Sequence, residues 1–250
     1  MKLIVHDYSG HPFQIQLSRQ LAKMGYEVTH IYSSSFQTPK GNLAKSSADP
    51  TNFHIQPISV GYMNKYNYIT RYFKEMRYAS KLNKLIKENK PDCLISSNMP
   101  LFHLRLVQRR CLKQGVSFLY WVQDFYSLAI FKEFSARYGY VGRLIGRFFF
   151  RLEKKCLRKA SSIIVISSDF LETLKRWKIA EDKCHVIENW APVDEISAKS
   201  KDNSWSGKNR LNATFNFLYS GTLGLKHNPR MLVDLAMKFR DDNQVRIVVI

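Results

Sequence analysis

The residues best suited to chemistry stand in NFLYSGTLGLKHNP, residues 216–229. An apolar stretch there runs into Gly221 and Gly224, where missing Cβ atoms let a backbone come close to a ligand. The N–H groups opening the next helix, together with its dipole, favour an anion. Lys226 adds a point charge, and Thr222 lies inside the same turn. The spacing is neither GxGxxG nor GxxxxGK[ST], so it is no dinucleotide or Walker fingerprint. The turn reads equally as a phosphate cradle or as a plain structural connection. A second turn, YSGHPF (8–13), brings Gly10 and a helix start to the end of the first apolar run. Gly10 would approach a phosphate or an acceptor, or would only shape a turn with Pro12 at the first helical position. His11 is a candidate base toward an acceptor, or an exposed turn histidine. Asp124 closes SFLYWVQD and would orient or deprotonate a hydroxyl; the alternative is a helix N-cap. Asn189, in IENW, is a candidate ligand contact or a turn residue. Cys93, Cys111, Cys156 and Cys184 form no CxxC pair and no histidines cluster at ligand spacing, so no metal site is expected and reduced thiols fit best.

These groups need elements to hold them. Short apolar runs at 2–7, 27–34, 53–60, 92–97, 117–124, 162–168 and 184–190 read as strands. They alternate with helical patterns ending near Met24 and covering 69–89, 101–114, 126–159 and 169–178. Several strands are uniformly apolar, which implies a parallel sheet covered on both faces. The class is α/β and doubly wound, with functional groups at the C-terminal edge. Residues 196–212 turn to Ser, Lys and Asn and read as a linker between an N-terminal domain, 1–195, and a restart at 213–250. In that restart, strands 214–220 and 245–250 flank a helix from Asn228 to about Phe239. So short a βαβ buries little by itself, and the expectation is the truncated start of a second domain.

The net charge of +19 is concentrated: residues 61–160 hold 21 Lys and Arg against 6 Asp and Glu. Two helical stretches carry most of it. In 69–90, Ile69, Phe73, Met76, Ala79, Leu82 and Ile86 make one apolar stripe. In 143–159, seven basic residues stand against one Glu, with Leu144, Ile145, Phe148 and Leu152 along another side. Each reads as a core-packed helix with a solvated back, or as a surface for anionic lipid and a lipid-pyrophosphate acceptor. Two such helices in one domain favour the membrane surface. Nucleic acid is not expected, because no RRM, KH or helix-turn-helix signature accompanies the charge. The N-terminus lacks a signal-peptide pattern, and no apolar run reaches the roughly 18 residues of a membrane span. The expected place is the cytoplasm, peripheral on the inner face of the membrane.

Several stretches, taken in order, resemble the family 4 glycosyltransferases of the GT-B fold, and in particular the colanic-acid and exopolysaccharide type. They are GHPFQIQLSRQLAKMGYEVTHIY (10–32), WVQDFY (121–126), RLEKKCLRKASSIIVISSDF (151–170), CHVIENWAPVDEI (184–196) and YSGTLGLKHNP (219–229). The resemblance implies one complete Rossmann-like domain followed by an incomplete second one. It implies a sugar moved with retention, and without a metal or other cofactor, from a UDP- or GDP-linked donor. The acceptor would be a lipid-linked saccharide in bacterial surface-polysaccharide synthesis. Gly221 and Lys226 would then meet the donor diphosphate. The family's E-x7-E motif has no counterpart in these 250 residues, nor is its arginine obvious near Thr222 and Leu223. The alternative is therefore a non-catalytic truncated or split half that binds acceptor or membrane only.

Overall fold

Alternation along each strand decides the architecture, because successive side chains must find cover on opposite faces. The computed structural model describes residues 1–35, 40–63, 67–221, 223 and 228–250, with backbone only at Tyr68 and Asp194. It divides into two units, Met1–Pro192 and Val193–Ile250. Unit 1 runs β1 (Lys2–Asp7), α1 (Pro12–Lys23), β2 (Glu27–Ser33), β3 (Phe53–Ile58), α2 (Tyr68–Asn89) and β4 (Cys93–Ser97). It continues with α3 (Leu101–Lys113), β5 (Ser117–Val122), α4 (Tyr126–Lys159), β6 (Ser162–Val165), α5 (Ser168–Arg176) and β7 (Cys184–Val186). The sheet has seven strands in the order β3-β2-β1-β4-β5-β6-β7, parallel throughout.

Ile4, Leu94, Phe118, Tyr120 and Ile163 point to one face, where Leu82 and Ile86 of α2, Leu104 and Val107 of α3, and Leu157 of α4 cover them. Leu3, Val5, Ile95 and Trp121 point to the other, against Phe13, Ile15 and Ala22 of α1. Every residue of β4 is buried, as expected for a strand enclosed on both sides.

Three readings are corrected. β5 ends at Val122 and β7 at Val186, so neither the run to 124 nor that to 190 is strand throughout. Beyond those points Gln123 and Asn189 bond through their side chains (Asn189 Nδ2 to Gln123 Oε1, 2.7 Å) in place of a backbone ladder. The apolar stripe of α2 also splits: Leu82 and Ile86 are fully buried, whereas Ile69 is 73% and Phe73 66% exposed.

α4 is a hairpin of two helices. Gly139 breaks it at φ 53, ψ −122, a conformation that only glycine adopts cheaply. A Cβ on Gly142 would stand 1.8 Å from the Phe134 carbonyl oxygen, and one on Gly146 2.6 Å from the Phe131 ring. These two glycines let the second helix lie directly on the first. Glu153, near the end of the returning helix, accepts from the backbone N–H groups of Tyr126 and Ser127, each at 3.1 Å, and so caps the helix that starts the hairpin. Burial pushes its carboxyl up to about 7, against the pull of those hydrogen bonds.

Unit 2 contains α6 (Ser204–Lys208), β8 (Phe215–Tyr219), α7 (Pro229–Lys238) and β9 (Val245–Val249). α6 lies within the stretch read as linker and begins with a capping box between Asn203 and Ser206. β8 and β9 pair in parallel, and none of the described residues of β8, α7 or β9 is buried.

Candidate functional site

β1 has β2 on one side and β4 on the other. The chain leaves in opposite directions from that point, which opens a crevice beyond the C-terminal ends of the two strands. Asp7 is the last residue of β1 and sits beside Ser97 of β4. Its carboxylate is buried and accepts from the backbone N–H of Ser9 at 2.9 Å and from that of His11. The chain can double back in this way because Gly10 takes φ +84. His11 then caps α1, with Pro12 at the first helical position. Its Nδ1 comes 3.6 Å from Asp7 Oδ1 and 3.4 Å from Asn98 Nδ2. The ring remains open to solvent, its side chain 39% exposed, above a carboxylate that is fully covered.

The charges beneath this turn follow from burial. Burial opposes ionisation of Asp7, but the hydrogen bond and the charge of His11 outweigh it and hold the carboxyl below its usual range. Burial lowers His6 to about 3 and His30 to about 4, so both are neutral at physiological pH. His6 is fixed between Ser96 Oγ at 2.8 Å and the Tyr78 hydroxyl at 2.9 Å. Gln14 is held by Ser97 Oγ, which donates to its Oε1 at 2.7 Å. A single buried negative charge, Asp7, thus faces an accessible imidazole.

Asp124 is exposed on the same sheet edge. It neither ends β5 nor caps α4, whose N-cap is Phe125, since Glu153 already takes the first N–H groups. Its neighbour Gln123 and Asn189 exchange two amide hydrogen bonds, at 2.7 and 3.3 Å. Trp190 follows, donating to Gln16 Oε1 at 2.8 Å and stacking on Trp121 at 6.2 Å. Its ring is also 5.9 Å from Phe13, which is 5.4 Å from His11. Gly10 and His11 are therefore brought together with Asn98, and Asn189 is joined to the residue preceding Asp124.

Gly221 belongs to unit 2, where it is exposed, takes φ +146 and donates its N–H to the Ile250 carbonyl at 2.9 Å. Thr222, Gly224 and Lys226 lie outside the described residues. Among the described residues no three His, Cys, Asp or Glu side chains are grouped to hold a metal. The sequence reading passed over Asp7, Asn98 and Gln123. Asp7 carried the same signal that singled out Asp124, a carboxylate closing an apolar run, and it stands four residues before a histidine.

Comparisons with known proteins agree with this architecture. No curated protein matches the sequence. Among solved structures, sucrose-phosphate synthase from Thermosynechococcus elongatus superposes with a TM-score of 0.63 at 11% identity, over 99% of this chain and 70% of that one. The Anabaena protein HepE in complex with UDP and glucose gives 0.60 at 13% identity, over 100% and 60%. A Listeria monocytogenes protein described as a UDP-N-acetylglucosamine 2-epimerase gives 0.64 at 12%, over 99% and 62%. The chain thus spans 60 to 70% of the length of these neighbours, and at such identities they show the fold, a GT-B type α/β architecture. The family profile of Glycosyltransferase Family 4 matches residues 14–195, nearly all of unit 1, and the chain belongs to that family.

Proposed function

We propose that the chain transfers a sugar from a nucleotide-diphosphate sugar to an acceptor hydroxyl held over His11. The observation that carries this reading is the exposed His11 imidazole with its Nδ1 toward the buried, ionised Asp7. In the reaction the bond between the anomeric carbon and the diphosphate oxygen breaks, and a bond to the acceptor oxygen forms. The hydroxyl proton passes to Nε2 of His11, the nitrogen directed away from Asp7, and the carboxylate stabilises the imidazolium. Asp124 is the second carboxylate on this edge and would orient the acceptor. Gly221, Thr222, Gly224 and Lys226 are the residues we assign to a UDP- or GDP-linked donor; within unit 1, Gly10 and Asn189 are assigned as ligand contacts. The complex of HepE with UDP and glucose supports a donor of this class. Transfer is with retention, the acceptor oxygen bonding to the anomeric carbon on the face from which the diphosphate departs, and without a metal.

The acceptor we propose is a lipid-linked saccharide of bacterial surface-polysaccharide synthesis, met on the cytoplasmic face of the membrane. Support comes from the half-exposed Leu144 and Phe148 on a helix that also exposes Arg143 and Arg147, a composition suited to an anionic interface. No helix among the described residues is long and apolar enough to cross a membrane. The test is nucleotide release from UDP- and GDP-sugars with extracted membrane lipid as acceptor. His11→Ala is expected to lower kcat by about 10²–10⁴-fold, and Asp7→Asn by less. Full turnover in His11→Ala would remove His11 from the reaction. Vesicle binding with no donor-dependent product would point to the non-catalytic, acceptor-binding reading.

A further inference from the structure

A cavity of about 690 Å³ opens off the same crevice, between α2, α3 and the α4 hairpin. Its lining includes Ser9 and Asn98, on the two turns that carry the His11 site, and Phe148 and Phe149 of the hairpin. Its size is that of an ordinary ligand pocket. The wall is mainly aromatic and aliphatic, with Phe102, Ile130 and Phe134 prominent. A polar cluster interrupts it, in which Glu75, buried, accepts from Arg71 Nε at 2.7 Å and lies 3.5 Å from His103 Nδ1. Burial raises the Glu75 carboxyl against the opposing contact with Arg71.

The mouth distinguishes between occupants. Tyr72 and Phe148 both line the cavity and are exposed, 42% and 54%. Ile69 and Phe73 on α2 and Leu144 on the hairpin are exposed as well, and so are Arg143 and Arg147, which directly precede Leu144 and Phe148 in sequence. An apolar rim facing water is unfavourable, whereas a rim placed against lipid is removed from water, and positive charge draws it to an anionic surface.

We infer that the cavity holds the hydrocarbon chain of an amphiphilic acceptor. The chain enters from the lipid surface between Tyr72 and Phe148 and runs along Phe102 and Phe134. It presents its hydroxyl-bearing head to His11 beside Ser9 and Asn98. That this amphiphile is the acceptor rests on the transferase reading; that the cavity takes an alkyl chain does not. The full chain would be titrated calorimetrically with hexyl, heptyl, octyl and nonyl β-glucosides below their micelle concentrations. Affinity is expected to rise up to about fourfold per methylene, the equivalent of ~0.8 kcal/mol per buried CH₂, with a negative heat-capacity change. Ile130→Trp, which fills the cavity, is expected to abolish that increment. Phe148→Glu, at the exposed mouth where folding is not at stake, is expected to reduce it. His11→Ala is expected to keep the full increment while losing transfer. Affinity independent of chain length, phenyl β-glucoside binding as tightly as the nonyl compound, or an unchanged increment in both cavity variants would each overturn the proposal. Turnover without a methylene increment refutes the cavity assignment alone; an increment without turnover refutes the transferase reading alone.

Discussion

Units 1 and 2 are built from the same βα pattern, yet they differ in what covers it. In unit 1, Phe118, Leu94 and Ile163 are fully buried under helices. In unit 2, Phe215 is 63% exposed and Leu218 56%, while Met231, Val233 and Met237 of α7 also face solvent. Phe217 finds a partner, stacking on Phe239 at 5.6 Å, and Leu211 is buried near α6. An isolated pair of strands with one helix removes too little apolar surface from water to offset much chain entropy. The lesson is that an apolar strand records a need for cover, and only the number of neighbouring layers meets it. The same lesson holds within unit 1, where the first turns of α2 and the second half of the α4 hairpin keep apolar side chains in the open.

The largest effect expected from this contrast is in the cores. Phe118→Ala should cost unit 1 about 3–5 kcal/mol, and Phe217→Ala should cost unit 2 about 1 kcal/mol, chiefly its ring contact. Urea unfolding followed by hydrogen exchange resolves the two units; equal costs would break the comparison. Next comes pH. Glu153, in unit 1, has its carboxyl raised by burial from 4.5 to about 7. Its stabilising contribution is therefore complete below the unfolded value and is lost as pH rises through about 7. Relative to the native protein, Glu153→Gln should gain on the order of 3 kcal/mol in stability between pH 5 and pH 8. Unit 2 has no buried titratable side chain among its described residues and its exchange should not follow that curve. A flat difference between variant and native protein would show that Glu153 stays ionised in the fold. The smallest effect concerns caps. Asn67 accepts from Thr70 N–H at 3.1 Å at the start of α2, whereas Asn228 makes no side-chain cap bond on α7. Asn67→Ala should cost about 1 kcal/mol and Asn228→Ala only a few tenths, read as shifts in thermal midpoint.

The succession of strands and helices was readable because local periodicity is a property of neighbouring residues. The seven strands of unit 1 stand where apolar runs placed them, several of them shorter, with a side-chain pair beyond the ends of β5 and β7 at Gln123 and Asn189. Helices were expected within 126–159, but not a hairpin. Its turn depends on one glycine, and its close packing on two more that look like ordinary helix residues until Phe134 and Phe131 lie against them. At the candidate site, Gly10 and His11 could be singled out from the turn; Asp7 carried a local signal as the carboxylate closing an apolar run, but nothing local says that it is covered. The wall of the cavity was least legible: Phe148 stood out in its own helix, but nothing local brings it together with Glu75 and His103 from two others.

By itself the sequence determined the α/β class, the parallel order of alternating elements, the family, and the concentration of positive charge between residues 61 and 160. Only the tertiary structure decided that Asp7 lies buried beneath an accessible His11, that Glu153 closes a helix begun 27 residues earlier, and that one cavity is lined both by Asn98, beside that histidine, and by the exposed Tyr72 and Phe148. The reason is physical. Periodicity specifies which face of an element is apolar, but burial, and with it the ionisation of a carboxylate or the opening of a pocket, depends on what distant segments place against that face.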